Sequence, residues 1–142
     1  MNFTYAFEPE NGLCIYRLSG KATVRELLAC FAAARSDPHW SDNYDFLTLL
    51  DHLSLSDMSA DAMVKLMTKM REGDTATPDH TRRGAIVCND PFSRAMLTYW
   101  ELSAEQRLMT EERVFRFESK ARLWLRSSRD ETDLASGGPQ PA

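Results

Sequence analysis

Short apolar runs and longer amphipathic stretches follow one another along this chain. The first two runs flank Pro9 and the pair Asn11-Gly12, which are turn residues, so these runs predict an antiparallel hairpin. The next two runs are compact and apolar, which is typical of strands buried on both faces of a parallel sheet. The predicted strands are residues 2–7, 13–19, 46–50, 85–88 and 114–117.

Apolar residues at helical spacing predict a helix after each of the last four strands. The first helix starts with a capping box, in which Thr23 and Glu26 satisfy free backbone amides. In the fourth helix, Ala121, Trp124 and Leu125 share one face. The predicted N-terminal caps are Thr23, Ser59 (or Ser56), Asp90 and Ser119.

This order of elements, β-β-α-β-α-β-α-β-α, predicts an α/β fold. Alternating strands and helices favour parallel pairing, so we expect a mixed, mostly parallel sheet of about five strands. An antiparallel hairpin stands at its N-terminal end, and about four helices cover it. Residues 1–126 are predicted to form a single domain. Residues 127–142 are too polar to bury much apolar surface, which predicts a disordered C-terminal tail.

Composition argues against several classes of protein. The formal net charge of −4 disfavours nucleic acid and anionic membranes as partners. No apolar run reaches the roughly eighteen residues of a membrane span, and no signal peptide is evident, so a cytoplasmic location is expected. The three cysteines form no C-x-x-C motif, and the histidines occupy separate loops, so neither a metal nor another cofactor is expected. The histidines are His39, His52 and His80.

The strand at residues 84–87 and the ending at residues 114–125 carry a resemblance to a known family. Together with the element order, they resemble the SpoIIAA-like superfamily, which includes the STAS domains of anti-sigma-factor antagonists and many uncharacterised bacterial proteins. The resemblance covers roughly residues 2–126. It implies a superhelix of βα units that serves as an interaction or switch module rather than an enzyme.

The same resemblance implies a phosphorylation site at the start of the second helix. Family antagonists carry a phosphorylated serine there, in a turn of the Asp-Ser-Ser-Gly type. The matching segment, residues 57–61, places Ser59 near that position but lacks the glycine and the paired hydroxyls. An ordinary helix cap is therefore favoured over a phospho-site at Ser59.

Polar and reactive side chains follow the predicted strands at their carboxyl ends, where open parallel sheets bind ligands. This strand-end rim consists of Lys21, Asp51, His52, Cys88 and Asn89. A small anion or an apolar ligand is one expectation for it. A second is a nucleophilic thiol, because Cys88 at a helix N-terminus beside an imidazole would have a lowered pKa. The alternative is that Cys88 ends a buried strand as a small apolar residue, and no catalytic residue is assigned.

The third helix has two apolar stripes, about 100° apart around its axis. The first stripe is predicted to face the core. The second is predicted to form a homodimer interface, because a helix that is apolar on two sides is either deeply buried or covered by a partner. The first stripe is Phe92, Ala95, Met96, Tyr99 and Leu102. The second stripe is Leu97, Trp100, Ala104 and Leu108.

Three hypotheses of function follow from these features. The leading one is a non-enzymatic regulatory or protein-interaction module of the SpoIIAA-like type, acting as a homodimer or with another protein. The second is a small-ligand binding protein that uses the strand-end rim, and the third is a thiol enzyme at the same rim. Because no paired catalytic groups occur at a recognisable spacing, the first hypothesis is favoured over the third.

Overall fold

The computed structural model of this chain describes the backbone of residues 1–137 and the side chains of residues 1–127. Within these residues, five strands and four helices follow one another in the predicted order. A 3₁₀ turn (Pro9–Asn11) joins the first two strands. The elements are β1 (Asn2–Glu8), β2 (Leu13–Lys21), α1 (Val24–Arg35), β3 (Asp45–Ser54), α2 (Ala60–Gly73), β4 (Arg83–Val87), α3 (Pro91–Arg107), β5 (Glu111–Phe115) and α4 (Glu118–Gly137).

The five strands form one sheet in which each strand lies beside the next strand of the sequence. β1 and β2 are antiparallel, and the turn between them ends at Gly12, whose φ of 63° is a backbone conformation that glycine adopts readily. β2, β3, β4 and β5 are parallel to one another. The predicted α/β class, the N-terminal hairpin and the mostly parallel sheet are therefore confirmed.

The two faces of the sheet are covered differently. Helices α1, α2 and α3 pack on one face, here called the three-helix face, against residues such as Tyr16 and Ile86. Helix α4 packs alone on the other side, the α4 face, where Trp124 contacts a cluster that includes Leu47. Because successive strand residues point to opposite faces, β2 and β3 contribute apolar side chains to both clusters. This explains why the central runs lack polar alternation.

Helix α3 corrects the assignment of its two apolar stripes. Leu97, Trp100 and Ala104 are buried in the core of the three-helix face, and Leu108 packs against that core. In contrast, Phe92 and Leu102 are 65% and 63% exposed. The second stripe is thus the core side of the helix, and it is not available as a dimer interface. Both stripes are apolar, so only the packing of α3 on the sheet could distinguish them.

Helix α4 also departs from the prediction. It continues to Gly137, past residue 127, the predicted start of the disordered tail. Residues 127–136 contain neither glycine nor proline, the residues that most disfavour a helix, so the helical backbone continues through them. Residues 138–142 lie outside the described residues, and a disordered tail there stays a prediction. None of the described helices has the length and apolar character that crossing a membrane would require.

Candidate functional site

The strand-end rim is not assembled into a site. Asp51 and His52 lie inside β3, in a bulge where they oppose the single residue Ser19 of β2. The bulge places His52 at a φ of 56°, and its side chain is 98% exposed. Its Nε2 lies 3.7 Å from Asp51 Oδ1, which is too long for a good hydrogen bond. Both side chains extend from the bulge into solvent.

Cys88 is a residue of the core on the three-helix face. Its side chain is 3% exposed within the three-helix face, whereas the side chain of His52 faces solvent. Burial raises the pKa of the Cys88 thiol, and a contact from Sγ to the carbonyl oxygen of Asp90 at 3.7 Å opposes this only weakly. The expectation of a lowered pKa at Cys88 is therefore wrong, because burial desolvates the thiol and raises its pKa.

The other rim residues have separate structural partners. Lys21 forms an ion pair of 3.1 Å with Asp57, in which both side chains are more than half exposed. Asn89 is exposed and accepts a long contact of 3.5 Å from Arg116 Nε. Such exposed pairs contribute little free energy and create no enclosed space. The rim thus offers scattered surface groups.

Ser59 caps helix α2, as the sequence indicates. Its Oγ accepts a hydrogen bond of 3.1 Å from the backbone N–H of Ala62, and its backbone is extended, as expected of an N-cap residue. Phosphorylation of Ser59 stays a prediction. Among the described residues, no three His, Cys, Asp or Glu side chains are grouped so that they could hold a metal ion.

A cavity of about 150 Å³ lies between the three-helix face of the sheet and the helices that cover it. None of the five rim residues lines it. Its wall is mainly apolar and aromatic: the rings of Tyr16 and Phe31 meet edge-on at 5.2 Å, and those of Trp40 and Phe46 stack at 5.8 Å. All three covering helices contribute to the wall. This space is separate from the strand-end rim, and ligand binding at the rim stays a prediction.

One carboxyl group, that of Glu112, is set into this apolar wall on β5. Glu112 pairs in register with Gly84 of β4, and a Cβ atom on Gly84 would overlap Oε2 of Glu112. Glycine at position 84 therefore provides the space that the carboxyl group occupies. Glu112 shares its side of β5 with Val114, which packs against the three-helix core, so its side chain points inward.

The surroundings of Glu112 favour its protonated form. Burial raises the pKa of Glu112 to about 8, and the indole N–H of Trp100 opposes this effect only in part. No ion pair to Glu112 is found among residues 1–127. Near neutral pH, Glu112 is therefore mostly an uncharged carboxylic acid whose O–H group can donate a hydrogen bond.

Trp100 contributes a second polar group to the same wall. Its side chain is 7% exposed, and its Nε1 is buried without a hydrogen-bond partner of acceptable geometry. The Glu112 carboxyl is near enough to influence it but is not aligned with it. A buried indole N–H without an acceptor costs about 1–3 kcal/mol. An acceptor atom in the adjacent space would remove this cost.

Charged side chains also line the cavity, and one of them, Arg82, is only 5% exposed. Arg82 forms an ion pair with Asp74, and its guanidinium lies 5.6 Å from the ring centroid of Phe46. Arg35 donates a hydrogen bond of 2.7 Å to the carbonyl oxygen of Gly73, the last residue of α2. These arginines therefore stabilise the end of α2 and the loop after it.

The sequence contained signals for this site that remain ambiguous without the fold. Glu112 stands two residues before Val114, so an inward-facing strand would place both on the core side. Gly84 directly precedes the predicted strand at residues 85–88, and a glycine in a strand often marks the close approach of another group. That the two residues face each other depends on the register of β4 and β5. Comparisons with protein-family models, curated proteins and solved structures find no match for this chain.

Proposed function

We propose that this protein is a binding protein for a small, largely apolar molecule, which occupies the cavity between the three-helix face and its helices. The observation that carries the proposal is the cavity of about 150 Å³ lined by apolar and aromatic side chains. A protein cavity of about that volume accommodates benzene. The ligand-sized space, together with few polar groups in its wall, is typical of small-molecule sites.

The unpaired donor in the wall supports the same proposal. Packed interiors seldom leave either voids or unsatisfied polar groups, since each costs free energy. Here a void and the buried N–H of Trp100 occur together. A bound molecule would supply van der Waals contacts to the wall and an acceptor for the indole, so it would offset both costs.

Binding of toluene tests this proposal. Toluene is added to the full chain, and binding is followed by isothermal titration calorimetry and by chemical-shift changes in methyl groups of the lining methionines and leucines. We expect saturable binding. Thr48→Leu places extra methyl groups in the cavity from β3, so it is expected to weaken binding at least about tenfold, because it removes the available volume.

Thr98→Leu is the matched control, since Thr98 lies exposed on α3 and outside the cavity. It is expected to bind toluene as the wild type does. A wild-type protein that binds no toluene would contradict the proposal. So would a Thr48→Leu variant that is folded and binds toluene with unchanged affinity.

The second candidate is the regulatory or protein-interaction module of the SpoIIAA-like type. The observation that favours it is an exposed apolar stripe on the outer side of α3, made of Phe92, Tyr99 and Leu102. Large apolar side chains grouped on a surface are typical of contact sites between proteins. Light scattering of the wild type, Leu102→Glu and the control Thr98→Glu tests self-association. A monomeric wild type would exclude the homodimer form of this candidate.

A further inference from the structure

We propose that the cavity selects uncharged ligands that carry a carbonyl or similar acceptor oxygen, and that Glu112 recognises this oxygen as a hydrogen-bond donor. This inference rests on the proposed function, because it names the class of ligand that the same cavity takes. Glu112 is half-buried and Trp100 is 7% exposed, and both line the wall. Among the described residues Glu112 forms no ion pair, and the indole N–H of Trp100 has no aligned acceptor.

The indole of Trp100 and the protonated carboxyl of Glu112 can both act as hydrogen-bond donors. The indole nitrogen of Trp100 is a donor only, and its N–H has no aligned acceptor. A protonated Glu112 donates through its O–H group. A carbonyl oxygen has two lone pairs, so one ligand oxygen can accept from both. An aliphatic ligand would leave both donors unpaired, and this difference is the basis of the selection.

The charged groups around the cavity do not change the state of Glu112. The wall holds Arg35 from α1, Arg71 from α2, and Asp74 and Arg82 from the segment between α2 and β4. Arg82 is neutralised by Asp74, and Arg35 is engaged with a backbone carbonyl. The pKa of Glu112 is governed by burial and, in the opposite direction, by the indole of Trp100, and none of these ions contributes. Glu112 is therefore mostly neutral below a pH of about 8, the range in which it can donate a hydrogen bond to a ligand oxygen.

Two further elements pack around Glu112 and add no charge. From α3, the lining residues are Leu97 and Trp100, and from β4 they are Gly84 and Ile86. The remaining titratable group of the wall is Tyr16 on β2, whose pKa is raised above its ordinary value by burial. It is uncharged at any pH used below.

An ammonium ligand is the main competitor, since it would pair with an ionised Glu112. Such a pair would require two charges to lose their hydration in an apolar space, which costs more than the attraction returns unless both are fully hydrogen bonded. It would also leave the N–H of Trp100 facing a cation. The arrangement therefore favours a neutral acceptor.

Three probes of similar size separate these cases: ethylbenzene, acetophenone and benzylamine. Affinities are measured by titration calorimetry at about pH 6 and about pH 9.5. At pH 6 we expect acetophenone to bind about tenfold more tightly than ethylbenzene, as one added hydrogen bond gives. At pH 9.5 Glu112 is ionised, so its hydrogen bond to the ligand oxygen is lost and only the N–H of Trp100 remains as a donor; this preference is therefore expected to fall.

Variants at position 112 give the controls. Glu112→Gln keeps an N–H donor and has no titrating group, so it is expected to retain a preference for acetophenone that does not depend on pH. Glu112→Leu has no donor, so its preference is expected to fall to about the ratio that wild type shows at pH 9.5. The Gln variant keeps the test valid if the Leu variant does not fold.

The outcomes distinguish this inference from the proposed function. If none of the probes binds at either pH, the proposed binding function fails, and this inference fails with it. If acetophenone and ethylbenzene bind equally at pH 6, or if the preference persists unchanged at pH 9.5, the cavity binds ligands but Glu112 does not select them. Tighter binding of benzylamine than of acetophenone would also overturn the inference.

Discussion

The two faces of the sheet are covered by different numbers of helices and differ in the space left beneath them. On the α4 face, a single helix closes the surface, with Ala121, Trp124 and Leu125 buried against the strands. The guanidinium groups of Arg83 and Arg113 lie 4.9 and 5.1 Å from the ring centroid of Trp124. On the three-helix face, three helices leave a cavity of about 150 Å³. On the α4 face, the pocket that Leu13 and Leu125 line has a volume of about 50 Å³, so the larger of the two spaces lies on the three-helix face.

The two faces also differ in the charge state of a glutamate: the pKa of Glu8 is lowered and the pKa of Glu112 is raised. Glu8, at the edge of the α4 face, accepts hydrogen bonds of 2.9 and 3.1 Å from Arg122, which lower the pKa of Glu8 to about 2. Glu112, in the cavity wall, has its pKa raised to about 8 by burial. The first carboxyl is stabilised as an anion and joins α4 to β1. The second is kept neutral, which is what a ligand-binding donor requires and a structural ion pair does not.

The largest expected effect is on the closed face. Trp124→Ala should reduce the free energy of unfolding by about 3–5 kcal/mol, since it removes a large buried ring from tight packing. Urea denaturation measures it. Leu123→Ala, one residue away on the same helix, is the control: Leu123 is exposed, so its loss should be below about 1 kcal/mol. Equal losses for the two variants would mean that α4 does not close this face.

The next effect concerns the cavity face and depends on pH. The pKa of Glu112 is about 8 in the folded state and near 4.5 in an unfolded chain. Between these values the unfolded state releases a proton that the folded state keeps, so wild-type stability falls as pH rises. Glu112→Gln lacks this loss. We expect it to be more stable than wild type by about 2–4 kcal/mol at pH 9 and equal to it near pH 4.

Glu105→Gln is the control for this experiment, since Glu105 is exposed on α3. Its stability relative to wild type should be the same at both pH values when measured by urea denaturation. A Glu112→Gln variant whose advantage does not grow between pH 4 and pH 9 would show that Glu112 is not desolvated in the folded protein.

The smallest effect concerns the ion pair at the edge of the α4 face. Arg122→Met should cost about 1–2 kcal/mol at pH 7, because the pair is partly exposed and screened by water. The folded pKa of Glu8 is the depressed one, so this contribution is present above about pH 4.5 and is lost as pH falls toward about 2.

Lys120→Met removes an exposed charge from the same helix and is expected to have little effect at either pH. The pH dependence of the Arg122 cost has the opposite sign to that of the Glu112 effect. If the cost of Arg122→Met were the same at pH 3 and pH 7, Glu8 would not be its partner in solution.

Local sequence was sufficient for most of the fold. Local sequence predicted the strand–helix alternation, the turn at Asn11-Gly12 and the helix caps, and the structure contains each of them. The caps are Thr23, Ser59 and Asp90. These features depend on interactions between residues close in sequence, such as the hydrogen bond from the N–H of Glu26 to Thr23 Oγ1 at 3.2 Å. The superfamily resemblance stays a prediction.

The candidate site could not be predicted from local sequence. The bulge at Asp51 and His52 exists because β2 and β3 differ by one residue in register, and it turns both side chains outward. The position of the Glu112 carboxyl group in the cavity wall depends on its pairing with Gly84, and these two residues are far apart in sequence. Neither the bulge nor the pairing of Glu112 with Gly84 produces a periodic pattern in the sequence. The sequence analysis therefore predicted a site at the strand ends instead.

The sequence by itself determined which segments are strands and helices, and therefore the α/β class, because hydrophobic period and caps are local properties. Only the tertiary structure decided which stripe of α3 faces the core, and where a carboxyl group meets an apolar space. The physical reason is that pairing register and helix rotation are set by contacts between distant segments. Those contacts placed the donors Glu112 and Trp100 in one cavity wall.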